Sequence, residues 1–338
     1  MKEVILNSLM REHLLKGFIG KDPRFIELVK KLKRVAETDI HILLIGETGS
    51  GKNLCAEFIH HFSTRRNAPY IVFNCGACPE TIFESQIFGH KKGAFTGACE
   101  DRIGLFEEAH TGTLVLDEIN SLNFASQVKL NYFLETGHFR RIGENRLRQA
   151  EVRIISASNV NLRNEVQAGR FREDLYYRLA EYEIYIPPLR SRKGDIVLLV
   201  DHFLKKYAHL NTISPISFTK KALDDIQKYD WPGNVRELEN FIKHCIIDAK
   251  TNVIDFVPVQ DNNKSPSWSQ DTATDDLPWR VAKNQAITLF KIEYLKNLLT
   301  RYHGVVAHCA QHANIQPPDF WKLMRKYNIK VENFRSSN

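Results

Sequence analysis

Residues Ile40 to Asn53 read IHILLIGETGSGKN, and the fold follows from how this stretch is read. An apolar run, Ile40 and Ile42 to Ile45, stops at Gly46. Glycines recur at Gly49 and Gly51, and Lys52 follows where a helix over Leu54 to His61 can begin. A strand that breaks into a Gly-rich turn and then a helix is the layout of a phosphate-binding loop. Its glycines let several backbone N–H groups face one anion, the helix N-terminus adds positive potential, and the lysine reaches the outer phosphates. Gly46, Glu47, Thr48, Gly49, Ser50, Gly51, Lys52 and Asn53 are therefore candidate nucleotide-binding residues. Gly-x4-Gly-Lys is complete, but Asn53 stands where Ser or Thr is usual. A Gly-rich turn without a ligand is the alternative, and the flanking strand and helix weigh against it.

The 338 residues suffice for two or three domains with their own cores. With 43% apolar and 26% charged residues the composition is that of a globular protein, and no run approaches the ~18 apolar residues of a membrane span. The opening MKEVILNSLMREH has too short an apolar stretch for a signal peptide, so the expected location is the cytoplasm, with no membrane partner. Six scattered cysteines in so long a chain indicate reduced thiols and not a disulfide framework. Charge is uneven. From Asp276 to Asn338 there are ten Lys/Arg against four Asp/Glu, a net of +6, while the whole chain carries +7. The basic excess thus lies in the tail, which suits either nucleic acid or a merely solvated basic helix.

Outward from the loop, residues 1–17 read as a short leader. Asp22-Pro23 then starts a helix with Phe25, Leu28, Val29, Leu32, Val35 and Ala36 on one face. Further apolar runs at Tyr70 to Phe73, Leu114 to Leu116, Val152 to Ala157 and Ile184 to Ile186 alternate with helix-length amphipathic sequence. This predicts an α/β domain, a parallel sheet wrapped by helices, over residues 18–187. From Ile196 strand signals vanish. Ile196 to His209, Thr219 to Tyr229 and Val235 to Ala249 read as three helices of a lid subdomain, 188–249, the last started by Trp231-Pro232-Gly233-Asn234. Residues 250–276 have linker composition, and 277–338 read as an all-helical domain of helix-turn-helix length.

Chemistry-bearing residues cluster at strand ends. LVLDEI, Leu114 to Ile119, ends a strand on two carboxylates. Beside a phosphate loop Asp117 would hold Mg²⁺ and Glu118 would orient and deprotonate the attacking water. Asn74 closes the second strand, within reach of Glu118 if the strand ends are neighbours. Ser158 and Asn159 close the fourth, either as a γ-phosphate sensor or as a cap for the helix from Leu162. Arg172 and Arg178, in GRFREDLYYRL, are six apart on a predicted helix and so do not share a face. They either project to a neighbouring subunit or pair on the surface with Glu173 or Asp174. Arg236, in WPGNVRELEN, either reaches a phosphate from the lid or only packs. Cys75-x-x-Cys78 lacks a second pair at zinc spacing and a redox context. In FGHKKGAFTGA, Phe88 to Ala98, small residues and glycines surround Phe95 and Thr96. Either Phe95 tucks into the core or the loop presents an apolar tip to a partner.

GETGSGKN, FGHKKGAFTGA, TGTLVLDEI, ASN, FREDLYYRL, IPPLRSRKGDI and WPGNVRELEN, in this order, resemble the AAA+ domain of bacterial sigma-54-dependent transcriptional activators. The similarity runs from about Phe18 to Ala249, and the tail resembles the Fis-type helix-turn-helix that usually follows. GAFTGA is close to diagnostic, whereas the phosphate loop alone is not. The resemblance implies an ATPase that binds ATP and Mg²⁺ and assembles as a hexameric ring. It implies that Gly93, Ala94, Phe95, Thr96, Gly97 and Ala98 contact the sigma-54 subunit of RNA polymerase holoenzyme. ATP hydrolysis would then convert the closed promoter complex to the open one. By the same resemblance Asp117 and Glu118 are the Walker B pair, Asn74 couples Glu118 to the moving loop, and Ser158-Asn159 form the first sensor. Arg172 and Arg178 act in trans, and Arg236 is the second sensor. Gly137 to Glu144 resembles a second loop beside the first, with Glu144 replacing a usual glycine.

Asn53, where the family mostly has Glu, leaves Mg²⁺ to Asp117 and water. Upstream of Phe18 there is no room for a sensing domain of ~100 residues. The layout is similar to the phage-shock activators of the family, so control by a trans-acting inhibitor or by concentration is expected. In the tail, Phe320, Leu323, Met324 and Tyr327 mark a buried helix face. Trp321, Lys322, Arg325 and Lys326 then meet double-stranded DNA, chiefly its phosphates, while Pro317-Pro318 replace residues the family offers to base edges. Two rival functions remain: a DNA-bound regulator that only senses nucleotide, and an AAA+ remodeller of another substrate. Intact Asp117, Glu118 and both arginines oppose the first, and GAFTGA opposes the second.

Overall fold

The computed structural model describes residues 17–77, 79–211, 213, 215–255, 291–292, 294–296, 298–300, 302, 304–313, 315–327, 329 and 331. Residues 1–16 of the leader and residues 256–276 of the stretch read as a linker lie outside the described residues. The chain divides into two compact units, residues 1–260 and 261–338.

The first unit is built on the five predicted strands: β1 (Ile42–Ile45), β2 (Tyr70–Asn74), β3 (Thr113–Asp117), β4 (Arg153–Ser158) and β5 (Tyr182–Tyr185). All pair in parallel, in the order β2-β3-β4-β1-β5. Central strands of such a sheet are covered on both faces, and their sequences are accordingly continuous apolar runs. Ile42 and Leu44 of β1 point to one core, with Val115, Ile155 and Ala157. Leu43 and Ile45 point to the other, with Leu114, Leu116 and Ile154. Helices α1 (Pro23–Ala36) and α2 (Lys52–His61) fill the first face. Asp22 caps α1, its carboxylate accepting from Arg24 N–H, and Phe25, Leu28, Val29, Leu32, Val35 and Ala36 are its buried stripe. Helices α3 (Glu80–Phe88), α4 (Phe124–Thr136) and α5 (Glu173–Leu179) cover the second.

Beyond β5 the lid consists of α6 (Ile196–Tyr207), α7 (Lys220–Lys228) and α8 (Asn234–Asp248) around a core centred on Trp231, whose indole N–H donates to the Ile226 carbonyl at 2.9 Å. Strand pairing does not end at β5, because Ser217–Phe218 pairs in parallel with Val253–Ile254, inside the stretch read as linker. Two-residue strands carry no periodicity that a sequence reading can detect.

In the second unit α9 (Val306–His312) and α10 (Pro317–Lys326) pack with Leu295, Leu298 and Leu299 around Phe320 and Met324. Leu323 and Tyr327 are partly buried against the same core, so the predicted helix face is the observed one. Pro317 and Pro318 form the first turn of α10 after Gln316, where a missing N–H costs nothing.

Candidate active site

The parallel register places the carboxyl ends of β1 to β4 side by side, the edge where open α/β sheets bind ligands. Gly46 follows β1 directly, and its N–H donates to the Ser158 carbonyl at the end of β4 (3.1 Å). Asn74 of β2 is in register with Asp117 of β3. Residues drawn from 46 to 159 thus meet on one rim.

Between β1 and α2 the chain turns through Gly49 and Gly51, both at positive φ, and α2 starts at Lys52 with no side-chain cap. Its first N–H groups therefore keep their donor capacity for an anion. The Lys52 ammonium, largely buried, donates to the carbonyls of Gly46 (2.7 Å) and Glu47 (3.3 Å). Burial lowers its pKa, and the nearby carboxylates of Asp117 and Glu118 pull it back up. Ser50 Oγ is buried with no hydrogen-bond partner among the described residues. An orphaned hydroxyl, uncapped amides and a lysine held only by its own loop fit a polyphosphate. Asn53 is exposed on the first turn of α2.

Asp117 Oδ1 accepts from Glu118 N–H at 2.9 Å. Glu118 itself sits at φ +54°, a left-handed conformation unusual for a side-chain-bearing residue. Its carboxylate lies over Gly76, where a Cβ would be 2.1 Å from Oε2. Asn74 does not bond Glu118: its Oδ1 accepts from Ala77 N–H (2.9 Å) in the turn after β2. Adjacent strands bring Asn74 to Asp117, but its side chain is engaged locally. Cys78 lies outside the described residues, and no group of metal-ligating side chains occurs among the described ones.

Ser158 Oγ is fully buried and bonds the Val160 carbonyl (2.8 Å) and Asn120 Oδ1 (3.1 Å), while Asn159 is exposed at the rim. The helix beginning at Leu162 is capped by Asn161, so the capping alternative for Ser158-Asn159 is set aside. Asn120, in the turn after Glu118, was not anticipated.

Arg172 and Arg178 differ from the expected geometry. Arg172 is the N-cap of α5 and does not ride on the helix. It forks onto Asp174 (3.0 and 2.6 Å) with its guanidinium over Phe124. Arg178 pairs with Glu135 of α4 at 3.1 Å, not with Glu173 or Asp174. Both head groups remain about one-third exposed on this face. Arg236 is exposed in the first turn of α8, close to Gly49, and forms no ion pair among the described residues.

Phe88 to Ala98 leaves the C-terminal end of α3 as a short loop. Gly89–His90 pairs with Arg102–Ile103, and three backbone hydrogen bonds, from Gly93 to Ala98, Ala94 to Lys91 and Ala98 to Phe95, close the tip. Ala98 is buried, Thr96 exposed, and Phe95 is 44% exposed, with the His90 ring edge-on to it at 5.0 Å. The core reading of Phe95 is thereby excluded. Lys91 pairs with Asp101. The second loop does lie alongside: Lys91 N–H donates to the Ile142 carbonyl, Ile142 N–H to Gly89, and Gly143 abuts Ala94. Beneath both loops Arg141 forks onto Glu107 (2.7 and 2.8 Å), and Arg148 bridges Glu107 to Glu144. Glu144 thus has a cationic partner, and Arg148 holds its carboxyl below the usual range.

In the second unit, Trp321, Lys322, Arg325 and Lys326 are all exposed, opposite the buried Phe320 and Met324. Lys322 pairs with Asp319 at 3.2 Å.

Residues 18–185 match the family model of the sigma-54 interaction domain, and residues 190–276 match that of an AAA+ ATPase lid domain. The transcriptional regulatory protein GlrR of Escherichia coli K12 is 36% identical over 324 residues, covering 96% of this chain and 71% of that protein. The sigma54-dependent transcriptional activator SfnR of Pseudomonas putida is 45% identical over 229 residues, 68% of this chain and 63% of that protein. The nitrogen fixation protein VnfA of Azotobacter vinelandii is 36% identical over 319 residues, 94% of this chain and 60% of that protein. The chain spans about 60–65% of the length of the first curated relatives it matches. The crystal structure of NtrX from Brucella abortus in complex with ADP superposes with a TM-score of 0.69 at 28% identity, over 97% of this chain and 72% of that one.

Proposed function

The chain belongs to the family of sigma-54-dependent transcriptional activators, and from that premise we propose that it hydrolyses ATP to open the closed promoter complex of sigma-54 RNA polymerase. The observation that carries this reading is the exposed Phe95–Thr96 tip, on a loop that follows helix α3 in the same domain as the phosphate loop and the two strand-end carboxylates.

In this reading the amides of Gly46 to Lys52 and the Lys52 ammonium hold the phosphates, and Arg236 adds charge from the lid. Asp117 holds Mg²⁺, with Asn53 contributing at most through water. Bound Mg–ATP supplies the phosphoryl group and the metal charge that steadies it. Glu118 orients and deprotonates the water, its strained backbone fixing where the carboxylate can point. Asn74, one strand away from that pair, couples Glu118 to the loop by exchanging its local bond with Ala77 for one to the carboxylate. Ser158 and Asn159 sense the terminal phosphate. Arg172 and Arg178 leave their surface partners Asp174 and Glu135 to serve the site of a neighbouring copy in a ring, expected to be a hexamer. Exposed ion pairs of this kind are worth roughly 0–1 kcal/mol, so the exchange costs little.

Gly93 to Ala98 contacts sigma-54 through Phe95 and Thr96. The second unit binds double-stranded DNA through α9 and α10 as a helix-turn-helix, with Trp321, Lys322, Arg325 and Lys326 facing the duplex. No helix among the described residues is long and apolar enough to cross a membrane, which is compatible with work at a promoter in the cytoplasm. Replacing Thr96 by Ala tests the reading. Retained ATP turnover with lost transcription from a sigma-54 promoter supports it, and unaffected transcription rejects it in favour of another remodelling substrate.

A further inference from the structure

The phosphate loop is fastened to the lid by Asn234, a residue of the WPGNVRELEN stretch to which the sequence reading gives no role beyond starting a helix. Asn234, the first residue of α8, is fully buried and sits at φ +53°, a conformation asparagine tolerates better than most residues. Its Oδ1 accepts from Leu189 N–H at 2.8 Å. Its Nδ2 faces Glu47 Oε2 (3.1 Å), the Thr48 carbonyl (3.1 Å) and the Pro232 carbonyl (3.3 Å). Next to it, Val235 N–H donates to the Gly49 carbonyl at 3.1 Å. Arg190 grips the Glu47 carboxylate from its other side at 2.6 and 2.5 Å. Three consecutive loop residues, Glu47, Thr48 and Gly49, are thus tied to the lid through their acceptors.

A loop that turns its N–H groups toward an anion must find donors elsewhere for the acceptors on its back. In this chain the lid supplies them. Magnitudes identify the main anchor. The Glu47 and Arg190 side chains are 39% and 43% exposed, so solvent weakens that pair. Asn234 is fully buried, and removing its amide orphans the N–H of Leu189, which is fully buried as well.

We propose that Asn234 is a positioning residue for nucleotide binding. It holds the acceptor side of the phosphate loop against the lid, so that loop shape and lid orientation form a single equilibrium. The role requires a side chain that both donates and accepts at a positive φ, which asparagine provides and aspartate or glycine provides only in part. This inference rests on the nucleotide reading above and extends it to the regulation of the same site. Lid displacement would spoil the loop, and a filled loop would fix the lid.

The test uses the full chain, a fluorescent ATP analogue as probe, and a turnover assay. Asn234→Gly keeps the backbone conformation and removes the amide. Asn234→Asp keeps the acceptor for Leu189 and sets a carboxylate against Glu47. Affinity is expected to fall about tenfold in the first and further in the second, with KM rising more than kcat falls. Adding Glu47→Gln to Asn234→Asp removes the like-charge contact and should recover part of the affinity. Arg190→Gln, on an exposed side chain that leaves the fold testable, should weaken binding about two- to threefold. If the Asn234 variants lower the unfolding midpoint yet bind the analogue like the unmodified chain while still folded, the role is merely structural and the proposal fails. If Arg190→Gln has no effect and Glu47→Gln rescues nothing, it fails as well. An unmodified chain that binds no analogue would overturn the nucleotide reading itself, a separate result.

Discussion

Gly49 lies directly under Gly233: a Cβ on Gly49 would come within 2.2 Å of the Gly233 carbonyl oxygen, and Gly49 is held at φ +76°. The phosphate loop and the start of the lid helix are therefore in backbone contact, closer than any side chain allows. Gly49→Ala is expected to destabilise the first unit by about 2 kcal/mol through the positive φ alone, with more from the displaced lid. Nucleotide affinity should fall at least about tenfold. Denaturant unfolding and analogue titration check this, and an alanine variant equal to the parent in both would disprove the tight approach.

Glu118 and Lys52 separate binding from turnover. Glu118→Gln keeps the size and the unusual backbone but removes the base, so ATP turnover should drop about 10² to 10⁴-fold with analogue binding preserved. Lys52→Ala should lose binding itself, since in the proposed reading the ammonium, held over the loop by the Gly46 carbonyl, takes the phosphates. Paired binding and turnover assays decide the matter. A Glu118→Gln protein with near-normal turnover would mean that another group deprotonates the water, and an unmodified chain that binds the analogue without turnover would restore the reading of a nucleotide sensor.

The parts legible in the sequence were those whose physics is local. A strand buried on both faces appears as an unbroken apolar run, which is why β1 to β5 were found, and the Phe320/Met324 face announced itself by helical spacing. Contacts that join distant positions left no such trace. Asn234 meets Glu47 across 187 residues, and its one visible cue is an asparagine before a helix, a position that tolerates positive φ. Asn74 illustrates the converse. Strand order put it beside Asp117 as expected, but its side-chain rotamer serves Ala77, and rotamers follow from three-dimensional surroundings. Arg178 found Glu135 on another helix for the same reason.

Stability of the first unit should rise with pH through the histidine range. His60 is buried with Nδ1 3.0 Å from Thr113 Oγ1, and burial, with Arg153 and His61 adding to it, lowers its pKa. His41 is likewise lowered, by burial first and then by Arg153 and Arg65, against an opposing pull from Glu181. A histidine whose folded pKa lies below its unfolded value of 6.5 binds more protons when unfolded. Stability is therefore full above pH 6.5 and declines as pH falls toward the folded values. Thermal midpoints between pH 5 and 7.5 should show that slope, and His60→Asn should flatten it. A slope unchanged in the variant would place the titration elsewhere.

The basic face of α10 leads to the last prediction. Trp321, Lys322, Arg325 and Lys326 are exposed together, while Pro317 and Pro318 occupy the first turn and offer neither N–H donors nor polar side chains. The helix N-terminus, from which base edges and phosphates are often contacted, is thus chemically blunt, and charge further along must supply the affinity. Binding should then be dominated by counterion release. The logarithm of affinity should fall linearly with that of salt, and Arg325→Ala or Lys326→Ala should each lower the slope by about one with little change in sequence preference. Lys322→Ala should do less, because Asp319 already neutralises part of its charge. Titrations of duplex DNA at several salt concentrations would show this, and affinity that is insensitive to salt, or lost only for one sequence, would mean that bases and not phosphates are being read.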